Sequence, residues 1–108
     1  MGETNKRLYG PAQLTNVAAT KYTAPASTRT LVRHVHVSNP SGSTVNFTLS
    51  VGADAAGTRL FDAYSIPAGS TLDYWAFLML DAAEVIQALA SVTTTLVITI
   101  EGTEYTAG

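Results

Sequence analysis

Two runs and the segment between them decide the fold: Leu31-Val32-Arg33-His34-Val35-His36-Val37, then Ser38-Asn39-Pro40-Ser41-Gly42-Ser43-Thr44, then Val45-Asn46-Phe47-Thr48-Leu49-Ser50-Val51. In the last of these, Val45, Phe47, Leu49 and Val51 alternate with Asn46, Thr48 and Ser50. Successive side chains of a strand point to opposite faces, so this alternation describes a strand with one buried and one polar face. The first run places Leu31, Val35 and Val37 on one face and Val32, His34 and His36 on the other, with Arg33 interrupting the apolar side. Pro40 and Gly42 break both periods, and the cluster around them has turn chemistry. The pattern predicts a β-hairpin over residues 31–51.

Further strands follow on either side. Arg59 to Ile66 alternates Leu60, Asp62, Tyr64 and Ile66 with Arg59, Phe61, Ala63 and Ser65, and Pro67-Ala68-Gly69-Ser70 reads as a type I or II turn. Thr71 to Leu80 is apolar on both faces, with Trp75, Phe77 and Met79 opposing Leu72, Tyr74, Ala76, Leu78 and Leu80. Such a strand is covered on both sides, by its own domain or by a partner subunit. Thr94 to Glu101 alternates again. Residues 82–90 read two ways. Asp81-Ala82-Ala83-Glu84 has the shape of a capping box leading into a helix, whereas the strand spacing of the neighbours favours a strand. The first 28 residues lack a sustained period. They predict a loosely attached N-terminal arm over 1–18, then a short strand near Ala19 to Thr23 opening a β-sandwich domain over 19–108.

The chain has 108 residues, 46% apolar and 13% charged, which suits one domain with a real core. Threonine fills sixteen positions, as an all-β chain would have it. The expected fold is therefore a single antiparallel β-sandwich, jelly-roll-like, of about seven or eight strands. Phe47, Leu49, Leu60, Leu78, Ile98 and Ile100 are its expected core. Six basic residues against eight acidic ones lack the clustered cations of a nucleic-acid binder. Without cysteine there is no disulfide, thiolate nucleophile or zinc knuckle. The polar N-terminus carries no apolar signal region and Trp75 to Leu80 is too short to span a bilayer, so the expectation is a soluble protein, or one that leaves its cell by another route, with no membrane partner.

Little here carries chemistry. His34 and His36 share a strand face, but Val37, Ser38, Asn39 and Pro40 follow and there is no third histidine. Two imidazoles without a carboxylate make a poor metal site, so no metal and no cofactor is expected. The eight carboxylates are scattered, no Gly-x-Ser-x-Gly elbow occurs, and the loop between Gly52 and Gly57 holds no lysine to cradle a phosphate. No catalytic residue is expected. Two other readings have a basis: a carbohydrate- or receptor-binding sandwich using Tyr64, Tyr74, Trp75 and Phe77, and a metal-binding cupin-like protein using the two histidines.

A resemblance gives the functional expectation. The stretches Leu8-Tyr9-Gly10-Pro11, Ala18 to Pro25, Leu31 to Asn39, Phe47 to Gly52, Leu60-Phe61-Asp62-Ala63, Ile66 to Leu72, Leu80 to Ala90 and Ile98 to Glu104 resemble a group of small tailed-bacteriophage virion proteins. The resemblance is a pattern of strands and turns over nearly the whole chain. It implies a non-enzymatic structural component of the head, neck or tail, such as a capsid decoration protein, made in the host cytoplasm and resident in the virion. It implies as partners other virion subunits and further copies of the chain. From the residues themselves, Lys6, Arg7, Leu8 and Tyr9 of the arm, and Trp75 and Phe77, are the expected contacts.

Overall fold

The computed structural model describes residues 2–106 and contains eight β-strands. They are β1 (Gly2–Gln13), β2 (Ala19–Thr23), β3 (Thr28–Ser38), β4 (Val45–Val51), β5 (Arg59–Ile66), β6 (Thr71–Leu80), β7 (Val85–Ala90) and β8 (Val97–Thr106). One sheet has the order β1-β8-β3-β6 and the other β2-β7-β4-β5, every pairing antiparallel. The first strand pairs with the eighth, the second with the seventh, the third with the sixth and the fourth with the fifth. That is one long hairpin wrapped around a core, the double Greek key of a jelly roll.

This topology corrects the expected hairpin over 31–51. β3 and β4 lie in different sheets, and only β4 and β5 are joined consecutively within one sheet. Asn39, 1% exposed, turns the corner: its amide Nδ2 donates to the carbonyls of Ser43 (2.8 Å) and Ile66 (2.9 Å), and its Oδ1 accepts from the Ser41 amide. Its backbone also exchanges hydrogen bonds with Gly69 and Ser70 in the β5–β6 turn. Two crossings between the sheets are thus locked together at one end. The β5–β6 turn is closed by Ser70 N–H donating to the Pro67 carbonyl, with Gly69 at φ 71°. That is a type II turn with the glycine where a positive φ is required.

Residues 82–90 resolve in favour of the strand. Glu84 does reach back to the Asp81 amide as in a capping box, but Ala83 at φ 71° turns the chain into β7 instead of a helix. The N-terminal segment, expected as a loose arm, is the edge strand of the first sheet, paired with β8 from Gly2↔Thr106 to Gln13↔Val97. Register shifts between Arg7 and Tyr9 and between Tyr9 and Ala12 erase the alternation that would have revealed it. Bulges of this kind also blunt an edge against unwanted pairing.

The inner faces of both sheets meet in a core that includes Val32, Val35, Val37, Phe47, Leu49, Ile86, Ile98 and Ile100. Leu78 is only partly buried against it, and Leu60 is 43% exposed, contrary to expectation. Phe47 pairs with Tyr64 but Leu49 with Phe61, so β5 holds one extra residue between them. Ala63 adopts φ 53° there and donates its N–H to Thr48 Oγ1. The bulge reverses the faces, putting Phe61 inward where simple alternation assigned Leu60. A polar staple joins the layers as well: Tyr22 Oη of β2 lies 2.7 Å from Thr30 Oγ1 and 2.5 Å from Glu104 Oε2. Burial, then the Glu104 bond, pushes the Tyr22 phenol up to about 12.

The β4–β5 loop is fastened by Arg59, whose Nε and Nη2 donate to Asp54 Oδ1 and Oδ2 at 2.9 and 3.1 Å. This bidentate bond holds the Asp54 carboxyl below its usual 3.8. A depressed native pKa means that the unfolded chain binds more protons. The contribution is therefore complete above the unfolded value and lost as pH falls through the native one. Asp54→Asn is expected to lower the urea midpoint at neutral pH, and the gap to the parent is expected to close as pH is lowered below 3.8.

Candidate functional site

The outer face of the first sheet carries the densest polar and aromatic grouping. Along β3, Val35 and Val37 enter the core, which leaves His34 and His36 on the opposite face. β6 lies antiparallel beside it, in a register that sets His36 opposite Asp73 and His34 opposite Trp75. His34 Nε2 is 2.8 Å and His36 Nδ1 2.6 Å from the same oxygen, Asp73 Oδ1. From the other side β8 brings Glu101, with Oε1 3.4 Å from His34 Nδ1. The bonds to His36 and then His34 hold the Asp73 carboxyl below the usual carboxylate range. The indole of Trp75 stacks on the His34 ring, centroids 3.9 Å apart and planes 6° from parallel.

Beside this cluster is a shallow depression of about 340 Å³, bounded by Lys6 of β1, Glu101 of β8, Arg33 and His34 of β3 and Trp75 of β6. Two expected contact residues far apart in the sequence, Lys6 and Trp75, thus line one hollow. Phe77, two positions further along β6, is 82% exposed, and Trp75 is 74% exposed. Met79 continues the stripe at 40%. The strand that reads as apolar on both faces is therefore covered on one face only by its own domain.

The other arm residues behave differently. Arg7 is exposed, whereas Leu8 and Tyr9 are half-buried and pack against the chain's own core, with Lys21 Nζ 5.6 Å from the centre of the Tyr9 ring. Lys6 forms a loose ion pair with Glu104 at 3.4 Å. Asp73 and Glu101 were absent from the sequence-level grouping. Each reaches the histidines only through strand pairing, 37 and 67 positions away in the chain.

No protein-family model matches the sequence, and no curated protein does. Solved structures do share its fold. A chain of the Bacillus endospore appendages, described as disulfide-linked pili, superposes with a TM-score of 0.59 at 12% identity, over 98% of this chain and 89% of that one. A chain of infectious bursal disease virus, Gx strain, gives 0.52 at 8% identity, over 95% of this chain and 31% of the viral one. At such identities the likeness is one of fold: this chain has the architecture of a jelly-roll sandwich also found in a pilus and in a virus particle.

Proposed function

We propose that this protein is a non-enzymatic structural subunit of a tailed-bacteriophage virion, docking on other virion subunits and on its own copies through the outer face of β6. The observation that carries this reading is the stripe of Trp75, Phe77 and Met79 on one face of an edge strand, with Trp75 and Phe77 the most exposed large apolar side chains among the described residues. Contiguous exposed aromatics mark interaction surfaces, and such residues dominate binding energy once a partner excludes water. The fold relationship supports the same reading, because both neighbours come from assemblies of many subunits. The 108 residues hold no cysteine, so they make no disulfide link of the kind named for the pili.

Trp75→Ser combined with Phe77→Ser is expected to cost no more than about 1 kcal/mol of stability, the scale of the cross-strand stack on His34, since both side chains are otherwise exposed. The same double substitution is expected to abolish self-association in sedimentation velocity and incorporation into purified particles. A parent chain missing from particles, or a double variant incorporated at full occupancy, refutes the proposal. Deleting residues 2–13 is a poor substitute, because it strips β1 from the sheet.

A second reading rests on the hollow beside Trp75. An exposed indole flanked by Lys6, Arg33 and Glu101 is the arrangement a sugar platform needs. A saturable change in Trp75 fluorescence on adding a glycan would favour that reading over subunit docking.

A further inference from the structure

We propose that His34, His36 and Asp73 form a binding site for a divalent transition metal of the Zn2+ type. This is independent of the subunit reading.

The geometry comes first. A ring nitrogen of His34, a ring nitrogen of His36 and a carboxylate oxygen of Asp73 all lie within 4.8 Å of one another. Bonds of about 2.0–2.2 Å to one ion set such ligand atoms roughly 3.0–3.4 Å apart. His34 Nε2 and His36 Nδ1 already stand 2.8 and 2.6 Å from Asp73 Oδ1, so the ligand atoms are grouped at close to that spacing. The three residues stand on paired strands whose other faces are fixed in the core by Val35, Val37 and Tyr74, so the ligand positions are rigidly supported.

The surroundings complete the pattern. Metal-bound histidines usually donate their second ring N–H to a carboxylate, which sets the tautomer. Glu101 is placed for that role at His34 Nδ1, and Trp75 holds the ring plane by stacking. Proton counting points the same way. A neutral imidazole has a single N–H, yet His34 presents each nitrogen to a carboxylate oxygen, at 2.8 and 3.4 Å. A cation on Nε2, with Nδ1–H donating to Glu101, satisfies both sides.

Two imidazole nitrogens and one carboxylate oxygen suit Zn2+, Co2+, Ni2+, Cu2+ or Fe2+, whereas Mg2+ and Ca2+ require oxygen ligands. His36 and Asp73 are 38% and 41% exposed at their side chains, so water has access to the remaining coordination positions.

The test uses Trp75, the single tryptophan, as a reporter in contact with one ligand ring. Chelator-treated protein is titrated with Co2+ while its fluorescence is followed. Saturable quenching at one equivalent is expected, reversed by competing Zn2+ and insensitive to Mg2+. Asp73→Asn and His36→Ala are expected to abolish it, and Glu101→Gln to weaken Co2+ binding about 10-fold. In the unmodified protein, Zn2+ is expected to shift the imidazole nitrogen NMR signals of His34 Nε2 and His36 Nδ1, a readout independent of any variant's folding. Absence of saturable quenching, unchanged Co2+ affinity in Asp73→Asn, or unmoved imidazole signals overturns the site and leaves the cluster as hydrogen bonds from the two imidazoles to Asp73 and Glu101.

Discussion

Phe47→Ala is expected to lower the free energy of unfolding by about 3–5 kcal/mol, the upper range for emptying a buried aromatic site. Phe47 is fully buried in the middle of β4. Its ring meets Phe61 at 5.8 Å between centroids, and its backbone neighbours on the flanking strands are Ala90 and Tyr64. Ala90 is too small to fill the space and is held in a paired strand, so the site relaxes only in part. Domains of this size are stable by only about 5–15 kcal/mol, and the loss would consume a large share of that margin. Urea unfolding followed by Trp75 fluorescence and by far-UV circular dichroism measures it. A loss below about 1 kcal/mol would mean that this face of β4 does not form the core.

Gly102→Ala is the second substitution expected to be severe, for the opposite reason. Gly102 is buried in β8, paired with Lys6 on one side and Val32 on the other. A methyl group built there would stand 2.1 Å from the Leu31 carbonyl oxygen, with Leu8 Cδ1 at 3.1 Å. The obstacle is backbone, which cannot swing aside as a side chain can. Either β3 moves away from β8, losing ladder hydrogen bonds at the Val32/His34 bulge, or the strain remains. Overpacking of this kind costs about 1–3 kcal/mol or more. Gly57→Ala is the control: nothing lies within 4 Å of the added methyl group, and thermal unfolding is expected to be essentially unchanged. Equal effects at the two glycines would contradict the close approach of β3 to β8.

The strands were legible in the sequence because a period of two is a local property. Val45 to Val51 announces β4 unaided. Pairing is not local. The segment around Asn39 and Gly42 has the composition of a hairpin turn, yet Asn39 spends its amide on the carbonyl of Ile66, 27 positions away, and so makes a corner between sheets. Where bulges intervene, even the face of a strand is lost to pattern reading, as at Ala63, which exchanges Leu60 for Phe61, and along β1, where two shifts scatter the period. The site was half legible for the same reason. The spacing of His34 and His36 places both rings on one face, but the carboxylates that complete the cluster arrive from β6 and β8. No short-range signal points to Asp73 or Glu101.

The pairing of β1 with β8 also governs the order of events during synthesis. β8 lies between β1 and β3, so β1 has no strand of its own sheet to pair with until β8, the last of the eight, appears. Gly2 must find Thr106 at a separation of 104 positions, and the entropy of closing so large a loop comes before any contact offsets it. Topologies dominated by such distant pairings fold in milliseconds to seconds, and slow steps expose unpaired edges to other chains. The local β4–β5 hairpin can form early, whereas β1 waits. While it waits, β1 is the strand most open to a wrong partner, and Lys6, Arg7 and its two register shifts discourage a second chain from supplying the missing pairing.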